Sequence, residues 1–119
     1  MNEPTYHYHG DIYVSYRAIS TIAYQSALES YGVVGFAPKN LADGLVQAIV
    51  NDPTSGVDVH YDKKSITIDL YVIVEYGTRI KSVATSVAGN VKYKVESTIG
   101  LPVSAVNVHV RGLRISNPD

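Results

Sequence analysis

The segment from residue 57 to residue 76 constrains the fold most, because apolar and polar residues alternate along it. Val57, Val59 and Tyr61 share one parity, and the even-numbered residues from 66 to 76 form a second apolar row. Pairing Tyr61 with Ile66 buries both rows on the same side of a sheet. The sequence therefore predicts an antiparallel hairpin with a fixed register and a four-residue loop, 62–65.

Patterns elsewhere predict strands and helices in alternation. Apolar residues with a 3.6-residue period favour helices over 16–31 and 79–99. Ser15 and Thr78 are placed to cap the starts of these helices, and Gly32 and Gly100 are placed to end them. A short helix is expected over 41–50, and strands over 6–14, 33–37 and 103–115, the last with a bulge near Gly112. The predicted fold is one α+β domain over residues 1–119, of order β-α-β-α-β-β-α-β. Its helices pack on one face of a mixed or antiparallel sheet.

Composition argues against several function classes. The formal net charge is −1, without the basic excess of proteins that bind nucleic acid through phosphates. There is no cysteine, which excludes thiolate metal sites, disulfides and thiol nucleophiles. No apolar run approaches the roughly 18 residues of a membrane span, and the N-terminus has no signal-peptide pattern. We therefore expect a cytoplasmic protein that reaches a membrane, if at all, through a partner.

The hairpin register places Asp58 opposite Asp69 on the outer sheet face, with His60 one step along, opposite Thr67. Opposed like charges are destabilising, so something should offset them. A divalent cation held by both carboxylates and the imidazole is one answer, and a paired carboxylate acid/base site is another. The third and commonest answer is a neighbouring cation, such as Arg111 or a lysine, or splaying into water.

Other motifs give no chemistry. His7 and His9 lie two apart on a predicted strand, which makes a two-ligand and therefore weak metal site. Gly32 to Gly35 matches the GxxG loop of KH domains, but two valines fill it and a helix cap explains it better. Phosphate-loop, dinucleotide-binding, zinc-protease and serine-nucleophile motifs are absent from the sequence. We expect no cofactor, no metal and no enzymatic activity.

Two surfaces are candidates for protein contacts. Tyr71 and Ile73 are large for an outer sheet face, and Arg111 on the last strand joins the polar rim around them. The alternative is that another segment of the chain, such as 6–14, covers them. The second surface is the small-residue face of the last helix from Ser82 to Gly89. A helical glycine costs up to about 1 kcal/mol relative to alanine, which indicates either a close neighbour or a tolerated surface position.

Several runs resemble the alkaline-shock-protein family of Gram-positive bacteria, and its YloU-like branch in particular. The main one joins the long strand to the last helix, and the resemblance extends over residues 11–118. The runs are Tyr31-Gly32-Val33-Val34-Gly35-Phe36-Ala37, Asp69-Leu70-Tyr71-Val72-Ile73-Val74-Glu75-Tyr76-Gly77-Thr78-Arg79-Ile80, Val91-Lys92-Tyr93, Ser97-Thr98-Ile99-Gly100-Leu101 and Val106-Asn107-Val108-His109-Val110-Arg111-Gly112.

This resemblance implies a small cytoplasmic protein without known catalytic residues. Some members of the family lie near the cell envelope through a membrane partner and are linked to cell-wall stress, although this chain lacks the long charged tails of the larger members. The function it implies is a non-enzymatic interaction or scaffolding protein that self-associates or docks onto an envelope-linked partner. The YloU-like branch often neighbours a fatty-acid kinase gene. The alternative is therefore a small-molecule or fatty-acyl binding module, which would need a cavity between helices and sheet.

Overall fold

The structure is a computed structural model that describes residues 5–8, 12–39, 52–62 and 64–115, with the backbone alone over 5–8 and 12–14. Six strands and three helices follow one another in this part of the chain. They are β1 (Thr5–Tyr8), β2 (Ile12–Ser15), α1 (Tyr16–Leu28), β3 (Val33–Phe36), α2 (Pro53–Gly56), β4 (Val57–Tyr61), β5 (Ile66–Glu75), α3 (Ile80–Ile99) and β6 (Val103–Arg114).

The main sheet is built around β5, the longest apolar strand of the predicted hairpin. Strands β3 and β4 both pair antiparallel with β5, β3 near its C-terminal end and β4 near its N-terminal end. Strand β6 pairs with β5 in parallel along the opposite edge. The sheet is therefore mixed, and the parallel pair follows from α3, which returns the chain to the start of the sheet.

The predicted register of the hairpin is confirmed residue by residue. Tyr61 pairs with Ile66, and Asp58 pairs with Asp69. In the loop, Asp62 Oδ1 accepts hydrogen bonds from the backbone N–H groups of Ser65 (3.0 Å) and Lys64 (3.1 Å). These bonds stabilise the ionised carboxylate and so lower the pKa of Asp62.

The core lies between the inner face of the sheet and two helices. The inward row of β5, from Ile66 to Val74, is fully buried, and the four valines that recur every four residues on α3 are buried against it. Helix α1 adds Ile19, Ala23 and Ala27. Complete burial of a valine, leucine or isoleucine side chain contributes about 1.5–3 kcal/mol to the stability of the fold. The predicted two-layer α+β architecture is therefore confirmed.

The bulge expected near Gly112 is present. Val72 pairs with Val110 and Ile73 pairs with Gly112, so Arg111 is the extra residue of β6. A second shift, between the partners of Ile66 and Thr67, leaves Ser104 unpaired in the same way. Each bulge inserts one residue and reverses the side-chain parity beyond it.

The N-terminal strand is divided in two. Strands β1 and β2 pair antiparallel as a separate two-stranded sheet, in which Thr5 lies opposite Ser15 and Tyr8 opposite Ile12. The single expected strand over 6–14 overlooked the Gly-Asp pair at positions 10 and 11, two residue types that favour a turn. The helix expected over 41–50 lies outside the described residues, and the one-turn α2 lies between that segment and β4, where no helix was expected.

The helix ends differ from expectation by a few residues. Ser15 caps α1 as predicted by accepting from Ala18 N–H, but α1 ends at Leu28 rather than near residue 31. The cap expected from Thr78 is wrong, because its hydroxyl donates to Glu75 C=O at 2.7 Å and α3 begins after Arg79 without a side-chain cap. Gly100 ends α3 in the left-handed region, as predicted. None of the described helices is both long and apolar enough to cross a bilayer.

We predict opposite effects on stability for alanine at two glycines. Gly32 has φ +90°, and an added Cβ would lie 2.6 Å from Val83 Cγ2, a stiff and buried side chain. Gly32→Ala should lower the free energy of unfolding by at least roughly 1–2 kcal/mol, the cost of a left-handed non-glycine residue. Gly89 lies within α3, where an added Cβ meets nothing within 4 Å. Gly89→Ala should raise that free energy by up to about 1 kcal/mol.

Urea unfolding followed by circular dichroism measures both variants against the wild type. A neutral Gly32→Ala would contradict the close packing of the turn after α1 on α3. A destabilising Gly89→Ala would contradict the open surroundings of Gly89.

Candidate functional site

The outer face of the sheet gathers polar and aromatic side chains from three strands. The registers of β4 and β6 against β5 place them side by side, since paired residues in a sheet project to the same face. We call this group the outer-face cluster, and its members are Asp58, His60, Asp69, Tyr71, Asn107, His109 and Arg111.

Asp69 is the residue that joins the strands on this face. Its Oδ1 accepts a hydrogen bond from Asn107 Nδ2 at 3.1 Å and lies 3.0 Å from His109 Nε2. Its Oδ2 lies 3.9 Å from His60 Nε2 on the other neighbouring strand. The Asp69 side chain is only 18% exposed, so these contacts replace most of its water. These contacts hold the Asp69 carboxylate in place, and the carboxylate in turn orients the side chains of His109 and Asn107.

The opposed carboxylates are offset by neighbouring cationic and imidazole groups. Asp58 Oδ1 lies 3.7 Å from Lys39 Nζ, and Asp58 Oδ2 lies 3.4 Å from His60 Nε2. This agrees with the third explanation given above, a neighbouring cation. The cation is Lys39 and not Arg111. Sequence reasoning did not find Lys39, because its approach to β4 depends on the backbone bond from its N–H to Ser55 C=O. Half-exposed ion pairs of this kind contribute about 0–1 kcal/mol.

The structure does bring Asp58, Asp69 and His60 together, as the register predicted. Within the described part of the chain, however, no group of three or more His, Cys, Asp or Glu residues is arranged to hold a metal ion. The side chain of His7 and the whole of His9 lie outside the described residues.

An aromatic and cationic stack occupies the centre of the outer-face cluster. The rings of Tyr71 and His109 are stacked with centroids 4.7 Å apart and an interplanar angle of 11°. Arg111 Cζ lies 5.0 Å from the Tyr71 ring centroid, within cation–π range. Arg111 is the extra residue of the β6 bulge, so the bulge aims its guanidinium at the ring.

The surroundings of Tyr71 favour its neutral form. Burial raises the pKa of the phenol, and the negative charges of Asp69 and Asp58 raise it further, while Arg111 acts in the opposite direction. Tyr71 therefore keeps its hydroxyl as a hydrogen-bond donor throughout the physiological range.

Ile73 points to the outer face as expected, but it is covered, so of the two alternatives for this position the exposed one does not hold. It has the outward parity of Tyr71, yet it is 2% exposed. Its partners on β3 and β6 are Gly35 and Gly112, which have no side chains to cover it. Parity fixes the direction of a side chain but not what lies above it, so the exposed part of this face ends near Tyr71.

The small-residue face of α3 is open. Ser82 and Ser86 line a hollow of about 430 Å³ together with Tyr31 and Arg79. Thr85 donates its hydroxyl to Lys81 C=O at 2.9 Å, which satisfies that polar group within the helix. An added Cβ at Gly89 would meet no atom of the described residues within 4 Å. The expected close neighbour is therefore not part of the described chain, and contact of Gly89 with another protein stays a prediction.

Taken together, these features define a class: a small α+β domain with a packed core and an open, partly aromatic sheet face. Residues 5–115 match the alkaline shock protein 23 family, which is described as having a cell envelope-related function. The chain belongs to this family. It is 44% identical to YloU of Bacillus subtilis over 92% of this chain and 93% of that protein. It is 32% identical to YqhY of the same organism, over 88% of this chain and 78% of that protein.

Solved structures with the same arrangement of elements come from MamM CTD. Its copper form superposes with a TM-score of 0.52 at 14% identity, covering 87% of this chain and 92% of that one. Another MamM CTD structure has a TM-score of 0.51, also at 14% identity, covering 82% of this chain and 96% of that one. At this identity the likeness shows the fold alone.

We predict that two neighbours shift the Tyr71 pKa in opposite directions. Arg111→Ala removes a positive charge that favours the phenolate and should raise the Tyr71 pKa further. Asp69→Asn removes a negative charge and should lower the Tyr71 pKa towards the ordinary tyrosine value of 10.0. Because the folded-state pKa lies above the unfolded one, the associated stability is present below pH 10.0 and is lost as the pH rises through the folded-state value.

NMR titration of the tyrosine Cζ resonances measures these shifts, and the spectrum of Tyr71→Phe identifies the Tyr71 signal among those of the ten tyrosines. Equal or same-direction shifts in the two variants would show that neither charge acts on Tyr71 as its position indicates.

Proposed function

We propose that this chain is a non-enzymatic interaction protein of the cell envelope, and that its contact surface is the outer-face cluster. The observation that carries the proposal is the half-exposed stack of Tyr71, His109 and Arg111. Tyrosine and arginine are the residue types enriched where a few side chains supply most of the binding energy of an interface.

The cluster is preorganised for contact. Asp69 holds His109 at 3.0 Å, His109 stacks on Tyr71, and the β6 bulge holds Arg111 over the same ring. Side chains that are already ordered lose less conformational entropy when a partner covers them. His109 is 41% exposed, so the stack still presents surface to a partner.

The partner that suits this surface is a protein with acidic and apolar groups. The guanidinium of Arg111 can donate hydrogen bonds to a carboxylate, and the Tyr71 ring beside it can pack against an apolar side chain. A cytoplasmic protein with such a surface would reach the envelope through a membrane protein. The family's envelope-related function supports this location.

Chemistry at this face is not needed to explain its residues. Each carboxylate of the outer-face cluster contacts a lysine, a histidine or an asparagine, which explains the opposed aspartates as a structural arrangement. The fatty-acyl alternative requires space between helices and sheet. Among the described residues, fully buried side chains from β5, α1 and α3 fill the middle of that space, and the hollow of about 240 Å³ between α1 and β4 is lined in part by the charged residues Arg17, Lys39 and Asp58.

We predict that the stack determines capture of the partner. The tagged chain is crosslinked in cells of its native host, and bound proteins are identified by mass spectrometry. Tyr71→Ala and Arg111→Ala should each reduce capture of the main crosslinked protein about tenfold or more, as expected for central interface residues.

Matched controls lie on α3 and just before it. Tyr93→Ala removes an equally large side chain that is 71% exposed, and Arg79→Ala removes an exposed guanidinium. Both controls should capture as the wild type does. Unchanged capture by a folded Tyr71→Ala protein would overturn the proposal, and equal loss in Tyr93→Ala would move the contact surface to α3.

A further inference from the structure

Strand β6 has one open edge in the part of the chain that the structure describes. Strand β5 pairs with one side of it along Ile66–Glu75, and no other described strand pairs with it. An unpaired edge presents a row of backbone N–H and C=O groups, which is a template for another strand. Such an edge is either protected or completed by a partner.

The protection of this edge is confined to its ends. The bulges at Ser104 and Arg111 break the regular pairing near each end of β6, and bulges are one device that blunts sheet edges. The stretch between them, 105–110, reads Ala-Val-Asn-Val-His-Val. It contains no lysine, arginine, carboxylate, proline or glycine, so the devices that prevent edge pairing are missing over about 20 Å of strand.

The inward side of the same stretch is incompletely covered. Val106, Val108 and Val110 pack against the core but are only partly buried, whereas the inward residues of β5 beside them are fully buried. The difference arises because β5 has a strand on each side, whereas β6 has a neighbour on one side among the described strands. A further strand along β6 would bring apolar side chains beside these valines and extend the core.

We infer that residues 106–110 pair antiparallel with the same stretch of a second copy of this chain, about a two-fold axis at Val108. In this register Val106 lies opposite Val110 of the second copy, and Val108 lies opposite its own counterpart. All the valines then share the inner face. A two-fold interface of this kind is self-complementary, which is the commonest arrangement in soluble oligomers.

Charge favours a second copy as the occupant. A strand that pairs with itself places like residues near one another, which costs energy if they are charged. The 105–110 stretch has no formal charge with neutral histidine, so no such cost arises. Arg111 would lie six residues along the strand from Arg111 of the second copy, a distance of about 20 Å. Repulsion between these two charges would be weak, because salt screens exposed charges beyond roughly 8–10 Å.

The pairing would also enlarge the outer-face cluster. Asn107 of one copy lies opposite His109 of the other on the outer face, so the two clusters become one continuous surface. A partner with two binding segments would then bind the dimer more tightly than it binds a single copy. The pairing itself rests on the β6 edge and does not require the proposed function.

Light scattering on the purified chain tests the inference. The wild type should have twice the 12.9 kDa mass of one chain, with the monomer appearing on dilution. Val108→Lys should give a folded monomer, because a lysine at a partly buried edge position extends to water in one copy but is trapped between two. Ile22→Lys, at a partly buried position on α1, should remain dimeric.

An engineered disulfide tests the position of the two-fold axis. It also tests the inference in the case that the Val108→Lys protein does not fold. The chain has no cysteine, so Val108→Cys introduces a single thiol at the two-fold axis. Directly opposed Cβ atoms lie about 4.5–5.5 Å apart, close enough for a disulfide after a small adjustment. Mild oxidation should convert Val108→Cys to a covalent dimer and leave Ile22→Cys monomeric on a denaturing gel.

A wild type that is monomeric at every concentration would overturn the inference, as would a dimer that Val108→Cys does not crosslink. A monomer that still captures its partner through Tyr71 contradicts only the β6 pairing. A crosslinked dimer whose capture is unchanged by Tyr71→Ala contradicts only the proposed contact surface.

Discussion

Burial of the inward row of β5 against α1 and α3 is the interaction on which the rest of the structure depends. Because the residues from Ile66 to Val74 on that row must all be covered, a one-residue slip of β5 against β4 is excluded, and the observed register pairs Tyr61 with Ile66. That register sets Asp58 beside Asp69 on the other face. The polar arrangement of the outer face is therefore a consequence of packing on the inner one.

The two bulges of β6 connect the fold to the proposed contact surface. A regular strand would keep Arg111 on the same face as Asn107 and His109, but evenly spaced from them along the sheet. The bulge makes Arg111 the unpaired residue, and its guanidinium lies over Tyr71. The same irregularities limit the open edge to its uncharged centre. Local backbone geometry thus shapes both the surface for a partner and the proposed surface for a second copy.

The family and the structure support the same view of function from different sides. Membership in the alkaline shock protein 23 family gives an envelope-related role. The structure adds a packed core, carboxylates that contact cationic or polar side chains of the same chain, and a half-exposed aromatic stack. The MamM CTD structures share the fold at 14% identity, so their ligands carry no weight for this chain. An interaction protein accounts for these features without requiring a catalytic group.

The sequence by itself determined the two long helices, the hairpin register and the bulge, because alternation and periodicity are local signals that burial makes unambiguous. It placed Asp58, His60 and Asp69 together, since paired residues share a face. Only the tertiary structure decided that Ile73 is buried, that Lys39 approaches Asp58, and that β6 is parallel to β5 with an open edge. These depend on which distant segments lie above or beside a strand, and parity along one strand carries no information about its remote neighbours.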